Sequence, residues 1–299
     1  GLSVIFISHK LHEVLSITDR VTVLRDGRVV DTVHTSAVNR STLAQMMVGR
    51  ETLLAPVKWR ADGWPEIGQN RELPQPQPTT GLPGWHPWPA EAVRETFSAK
   101  KPLALHWSFV RTYATGQWSL TDKPGSLRLL GSKTGLESLE ATPTFIGRRQ
   151  THLNQRFTTE VNFSPKDAGD AAGVALRMNE THHLLLGISA AEKGRQLQCV
   201  QRLADKPIVH GTAALPEGPV QLQVDATPTT YKRSWRAGGD KVGKKPGAWQ
   251  ALCSVPTYQL STETSSGFTG VYMGLYAHAP SGGRTPADFA WVDFEATGD

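Results

Sequence analysis

Phe157-Thr158-Thr159-Glu160-Val161-Asn162-Phe163 alternates with a period of two. An extended chain with that spacing carries Phe157, Thr159, Val161 and Phe163 on one face and Thr158, Glu160 and Asn162 on the other, the pattern of a strand buried on one side. Working outward, Ser126-Leu127-Arg128-Leu129, Val220-Gln221-Leu222-Gln223-Val224 and Phe289-Ala290-Trp291-Val292-Asp293-Phe294 repeat it. Turn formers separate these runs, as at Lys123-Pro124-Gly125 and from Pro280 to Arg284. Such a series of strands predicts a long antiparallel sandwich or jelly roll over residues 94–299. No internal repeat at propeller or solenoid spacing is present.

Ahead of this region the composition changes. Pro, Gly, Gln and Trp dominate from Pro65 to Pro89, and Leu73-Pro74-Gln75-Pro76-Gln77-Pro78 favours extended backbone, so residues 68–93 read as a linker. The first fifty residues differ again. Val4-Ile5-Phe6-Ile7 reads as a buried strand, Leu11, Val14, Leu15 and Thr18 fall at helical spacing, Val21 to Leu24 and Val29-Val30 flank a turn at Asp26-Gly27, and a last helix is expected around Ser41 to Val48. An apolar strand such as Val4 to Ile7 needs neighbours on both sides, which the next 46 residues do not supply, so residues 1–50 read as an incomplete α/β fragment whose start is missing.

Composition narrows the function classes. The chain has 299 residues, 38% hydrophobic and 20% charged, ordinary for a folded protein with a sizeable core. Its 32 Lys+Arg against 27 Asp+Glu give +5, but the basic residues are scattered rather than gathered in a stripe, which argues against a nucleic-acid partner. No apolar run approaches the roughly 18 residues needed to span a bilayer, and no leader precedes a cleavage site, but the chain opens inside a strand, so the missing leader says little about export; a bacterial cytoplasmic location and no membrane partner are the expectation. Cys199 and Cys253 can pair at most once and read as structural filler.

Val4-Ile5-Phe6-Ile7-Ser8-His9-Lys10-Leu11, Asp19 to Arg28 and Met46-Met47-Val48-Gly49-Arg50-Glu51 resemble the end of the first nucleotide-binding domain of simple-sugar ABC transporters. The resemblance implies that His9 is a vestigial switch histidine, which in the family hydrogen-bonds the γ-phosphate and attacking water; the structural alternative is a polar residue at a strand end. ATP chemistry also needs a glycine-rich loop with its lysine and a carboxylate for Mg²⁺, and these would lie before Gly1. Gly238-Gly239-Asp240-Lys241-Val242-Gly243-Lys244 imitates such a loop, but Lys245 replaces the Mg²⁺-binding Ser or Thr and Pro246-Gly247 prevents the following helix, so it reads as a solvated hairpin turn. No cofactor is expected.

From Gly49-Arg50-Glu51-Thr52-Leu53-Leu54-Ala55-Pro56-Val57 and Trp59 to Pro65 onward, the chain resembles the large β-xylosidases of glycoside hydrolase family 43. The resemblance continues through Pro124 to Leu129, Ile146-Gly147-Arg148-Arg149-Gln150, Ala172-Gly173-Val174, Gly267-Phe268-Thr269-Gly270, Gly274-Leu275-Tyr276-Ala277 and Ala287 to Phe294. It implies a mainly β fold, a concanavalin-like two-sheet β-sandwich preceded by a linker and the small incomplete α/β fragment, with residues 51–67 as the last strand of a catalytic propeller. In the family the inverting acid, base and tuning carboxylates all lie in that propeller, so no catalytic residue is assigned here. The sandwich sends a loop to the pocket mouth, where an aromatic ring limits the sugar length admitted; Phe268 takes that place by its position in the motif, with a core Phe beside two glycines as the alternative. Both resemblances contain Gly49-Arg50-Glu51, the inferred seam of a fusion.

Several other groups have two readings. Arg148, Arg149, Gln150 and His152 are polar and clustered, but strand alternation splits them between faces, which favours structural pairing over ligand contact. Of the nine tryptophans, Trp107, Trp118 and Trp291 fall in strand-like segments and read as buried, whereas Trp85, Trp88, Trp235 and Trp249 read as better exposed candidates for stacking on sugar rings. His182-His183 with either cysteine lacks metal-ligand spacing. The leading expectation is therefore an accessory sandwich of a β-xylosidase or α-L-arabinofuranosidase, silent without its propeller, acting on xylo-oligosaccharides and able to form homo-oligomers. The alternatives are a xylan-binding module working through the tryptophans and an ABC fragment that docks on a partner.

Overall fold

The computed structural model describes residues 14–15, 18–25, 28–38, 57–67, 92–112, 115–204, 206–239, 246–265 and 270–298. The chain divides into two compact units, residues 1–90 and 91–299. The strand expected at Val4 to Ile7 and the helix expected at Ser41 to Val48 lie outside the described residues.

In the first unit β1 (Arg20–Arg25) and β2 (Arg28–His34) form the antiparallel hairpin that the apolar runs flanking Asp26-Gly27 predict. A 3-10 turn, Thr35–Ala37, follows. Downstream, β3 (Val57–Trp59) and β4 (Pro65–Ile67) pair antiparallel. Both strands fall within the 51–67 stretch expected to hold the last strand of a propeller. Asp62 and Gly63 turn the chain back, with the Trp64 amide donating to Asp62 Oδ1 at 3.2 Å and Gly63 at φ 82°, and Pro65 opens the returning strand.

The second unit contains β5 (Arg94–Thr96), β6 (Ser108–Phe109), β7 (Trp118–Ser119), β8 (Leu127–Leu130), β9 (Thr144–Arg149), β10 (Gln155–Phe163), β11 (Ala171–Arg177), β12 (His182–Ala190), β13 (Arg195–Leu203), β14 (Lys206–Leu215), β15 (Val220–Ala226), β16 (Thr230–Ala237), β17 (Gln250–Pro256), β18 (Tyr272–His278) and β19 (Pro286–Ala296). They build two antiparallel sheets. The first runs β17-β16-β15-β10-β19-β8-β7, with β5 also pairing with β19, and the second runs β14-β13-β12-β11-β18-β9-β6. This is the two-sheet sandwich expected from the alternation.

The core lies between the sheets. Phe157, Val161, Leu222, Val224 and Phe289 of the first sheet and Val174, Leu184, Leu186, Ile188 and Leu275 of the second are all fully buried members of one cluster. Thr159 also points inward, and its hydroxyl donates to the Trp291 carbonyl at 2.7 Å, which satisfies the one polar group its side chain brings into the core. A bulge between Glu160 and Val161 shifts the β10–β19 register.

The edge formed by β14 and β17 is closed covalently. Cys199 on β13 and Cys253 on β17 pair as a disulfide between the two sheets across 54 residues of sequence, a structural role more specific than filler. The segment carrying the Gly238–Lys244 motif connects β16 to β17, which are antiparallel neighbours, so it spans a hairpin connection; residues 240–245 lie outside the described residues.

Candidate functional site

Three connections converge at one end of the sandwich. Tyr272 sits opposite Arg177 on one side and opposite Arg149 on the other. The chain leaving β9, the turn between β11 and β12, and the segment entering β18 therefore share that end. The last of these contains residues 266–269, so Phe268 itself lies outside the described residues, as do His9, Trp85 and Trp88.

Both stems of the segment around Phe268 are anchored. On the incoming side a helical turn, Thr262–Ser265, ends with the Ser265 hydroxyl donating to Ser261 O at 2.7 Å. Asn179 Nδ2 donates to Ser265 O at 2.8 Å, while Asn179 Oδ1 accepts from the Thr181 amide and from the His182 amide, at 3.1 and 2.8 Å. On the outgoing side Gly270 takes φ 73°, a left-handed conformation that favours glycine, and the Gln150 amide donates to Val271 O at 2.8 Å. Tyr231 donates its hydroxyl to Gln150 Oε1 at 3.0 Å, tying the same stem to the first sheet. Burial with that single partner raises the Tyr231 phenol well above its ordinary range, so it stays a donor.

The polar cluster on β9 has the structural roles that alternation favoured. The Arg149 guanidinium lies 5.5 Å from the Tyr272 ring centroid, and that of Arg148 lies 4.5 Å over Phe294. Arg148 also lines a cleft, described below, so its outer edge is open to small molecules.

Beneath the β11–β12 turn, Glu180 accepts from Arg177 at 2.8 Å and from Arg111 at 2.9 Å. His183 is almost fully buried beside them, with Nδ1 3.4 Å from the Asn179 carbonyl, and burial pushes its imidazole down to about 4. The sign follows directly. The native state holds His183 neutral while the unfolded chain protonates near 6.5, so its contribution is intact above that pH and is lost as the pH falls from 6.5 through 4. Unfolding free energy is expected to drop by about 3 kcal/mol over that window from this group alone. Urea melts of the wild type and His183→Gln at pH 7 and pH 4 check it: the pH-dependent difference shrinks in the variant.

The tryptophan expectations divide. Trp249 is half-buried and Arg236 lies 4.3 Å over its ring. Trp235 is corrected: it points between the sheets at 6% exposure and packs in the main core, because it shares the inward face of β16 with Tyr231 and Arg233. Trp107 is buried as expected, but Trp118 and Trp291 are only half-buried, Trp291 facing away from the core with the Arg94 guanidinium 4.0 Å over its ring.

Sequence reasoning missed a second constellation. A cleft of about 450 Å³ is lined by Arg94, Glu95, Lys101, His106 and Arg148 among others. Glu95 accepts from Trp107 Nε1 at 3.0 Å and lies 2.9 Å from His106 Nε2, while Arg94 makes two 2.7 Å hydrogen bonds to Asp293. Only the spacing of Glu95 to His106-Trp107 hinted at it. Among the described residues no three of His, Cys, Asp and Glu gather in a way that holds a metal ion, and no helix is long and apolar enough to cross a membrane.

Comparison with known proteins fits this geometry. The family model of the beta xylosidase C-terminal Concanavalin A-like domain, GH43_C2, matches residues 94–295. The chain belongs to that family. Its sandwich is similar to that in the non-reducing end alpha-L-arabinofuranosidase BoGH43B of Bacteroides ovatus, 38% identical over 249 residues, which are 83% of this chain and 45% of that protein. The solved structure of Bacteroides ovatus xyloglucan PUL GH43B superposes with a TM-score of 0.72 at 36% identity, covering 81% of this chain and 46% of that one. A short segment is 66% identical over 53 residues to a glucose import ATP-binding protein of Haloferax volcanii, covering 18% of this chain and 10% of that protein. The chain thus spans under half the length of the GH43 relatives it matches.

Proposed function

We propose that residues 94–299 are the accessory sandwich of a β-xylosidase or α-L-arabinofuranosidase acting on xylo-oligosaccharides, and that the chain as given does not hydrolyse glycosides by itself. The observation that carries this reading is the match of the GH43 family model to the sandwich over residues 94–295. An inverting glycosidase needs two carboxyl groups about 6.5–9.5 Å apart flanking the scissile bond, one free to give a proton and one to activate water. Several of the described acids of the sandwich have other work: Asp288 is held by Arg128, Asp293 by Arg94, Asp225 by Arg156, Glu180 by Arg111 and Arg177, and Glu95 by Trp107. Asp170 Oδ2 accepts from Thr285 and from the backbone amides of Lys166 and Asp167. In this reading Phe268 forms part of the pocket wall, carried on the anchored stems at Ser265 and Gly270, and residues 1–50 are a fused ABC ATPase remnant.

The role is tested by grafting residues 94–299 in place of the corresponding sandwich of the Bacteroides ovatus arabinofuranosidase. The graft is expected to retain turnover, and Phe268→Ala within it to raise the preference for longer over shorter oligosaccharides by about tenfold in kcat/KM. A folded, soluble graft without turnover contradicts the accessory role, and an unchanged length preference contradicts the role of Phe268.

A further inference from the structure

Arg233 is the largest fully buried side chain among the described residues. Its position follows from strand alternation: Tyr231, Arg233 and Trp235 share the inward face of β16, opposite Ala226, Val224 and Leu222 of β15. Apolar side chains fill that face elsewhere, yet here a guanidinium points between the sheets. Its Nε, Nη1 and Nη2 are buried without a hydrogen-bond partner, and no described carboxylate pairs with it. A guanidinium offers five N–H donors, and leaving a buried cation uncompensated costs several kcal/mol.

The surroundings are closed and mixed in character, with Val224 of β15 opposite Arg233 in register. On β17 Cys253, half of the inter-sheet disulfide, lies opposite Arg233 in register. Across the core, fully buried Gln201 lies 2.6 Å from His210 Nε2 through its Oε1, and its Nε2 donates to Gln259 Oε1 at 2.6 Å. The positive charge of Arg233 reaches His210, where it adds to burial in keeping the imidazole neutral. The sheets approach closely at this edge, since a Cβ added to Gly211 of β14 would lie 3.1 Å from Leu252 O of β17.

Burial lowers the Arg233 guanidinium to about 10, still well above neutral pH, so the group keeps its proton and its charge. Ordered water could accept its hydrogen bonds but would leave the charge uncompensated. An anion does both. We propose that Arg233 anchors a small monovalent anion, chloride under ordinary conditions, inside the sandwich at the β14–β17 edge. The neutral amides of Gln201 and Gln259 and the neutral His210 bring no competing negative charge to this region. The anion compensates this fully buried guanidinium and is independent of the glycosidase reading.

The test uses the full chain. Melting temperature is followed as sodium chloride replaces sodium gluconate at constant ionic strength, which removes general screening as a variable. The wild type is expected to gain about 3–5 °C at saturating chloride, with bromide equivalent, and Arg233→Met to show no halide response. Crystals grown in bromide should show an anomalous peak within hydrogen-bonding distance of the Arg233 guanidinium. Should Arg233→Met fail to fold, the wild-type halide response and the bromide peak decide the matter. Equal melting in chloride and gluconate, or water alone beside Arg233 in the bromide crystals, overturns the proposal.

Discussion

Gly274→Val is expected to leave the chain unable to form the sandwich. A Cβ at Gly274 would lie 2.2 Å from Ile146 O and 2.6 Å from Gly147 Cα, both backbone atoms of the neighbouring strand β9. Backbone cannot swing aside as a side chain can, so the β18–β9 ladder has to separate. Gly274 also pairs directly with Gly147, whose own Cβ would meet the Phe145 ring at 2.6 Å, so neither strand has slack to give. The rows on either side carry fully buried Met273 and Leu275, and parting the strands opens the core there. The loss should exceed about 4 kcal/mol, enough to consume much of the stability of an ordinary domain. Gly194→Ala is the control: Gly194 takes φ 76° but faces open space, so only backbone strain of about 1 kcal/mol is expected. Urea melts, or soluble yield where no native state survives, distinguish the two variants. A Gly274→Val protein as stable as Gly194→Ala would mean that β9 and β18 are not packed as described.

The same two strands show what was legible in the sequence and what was not. Ile146-Gly147 and Gly274-Leu275-Tyr276-Ala277 stood out as family motif, but their physical reason is the contact between strands distant in sequence, which no local pattern encodes. Alternation found β8, β10, β15 and β19 because each has one face in the core and one outside. Trp235 lies outside the alternating runs read from the sequence, and its pairing with Leu222 of β15 turns it inward. The buried Arg233 broke the same rule and was invisible for the same reason. The Cys199–Cys253 pairing depends on how two sheets stack, which spacing alone leaves open. In the candidate site, the Gly267-Phe268-Thr269-Gly270 motif marked the segment, while the anchors that hold its stems come from elsewhere in the chain: Asn179 and Gln150 from two other connections and Tyr231 from β16.

The second large effect concerns catalysis. Enzymes of this chemistry owe at least about 10⁶-fold of rate to paired carboxyl groups and a shaped pocket. Several described acids of this sandwich are engaged in ion pairs that hold strands together, as Arg128–Asp288 does between β8 and β19. The chain should therefore fall at least about 10⁴-fold below an intact GH43 enzyme in kcat/KM. The most direct measurement is hydrolysis of p-nitrophenyl β-D-xyloside and p-nitrophenyl α-L-arabinofuranoside by the purified chain, beside an intact GH43 enzyme and a mock preparation. Release of nitrophenol no faster than in the mock preparation is the predicted result. Turnover that co-purifies with the chain and disappears when one carboxylate within residues 94–299 is changed to its amide would contradict it.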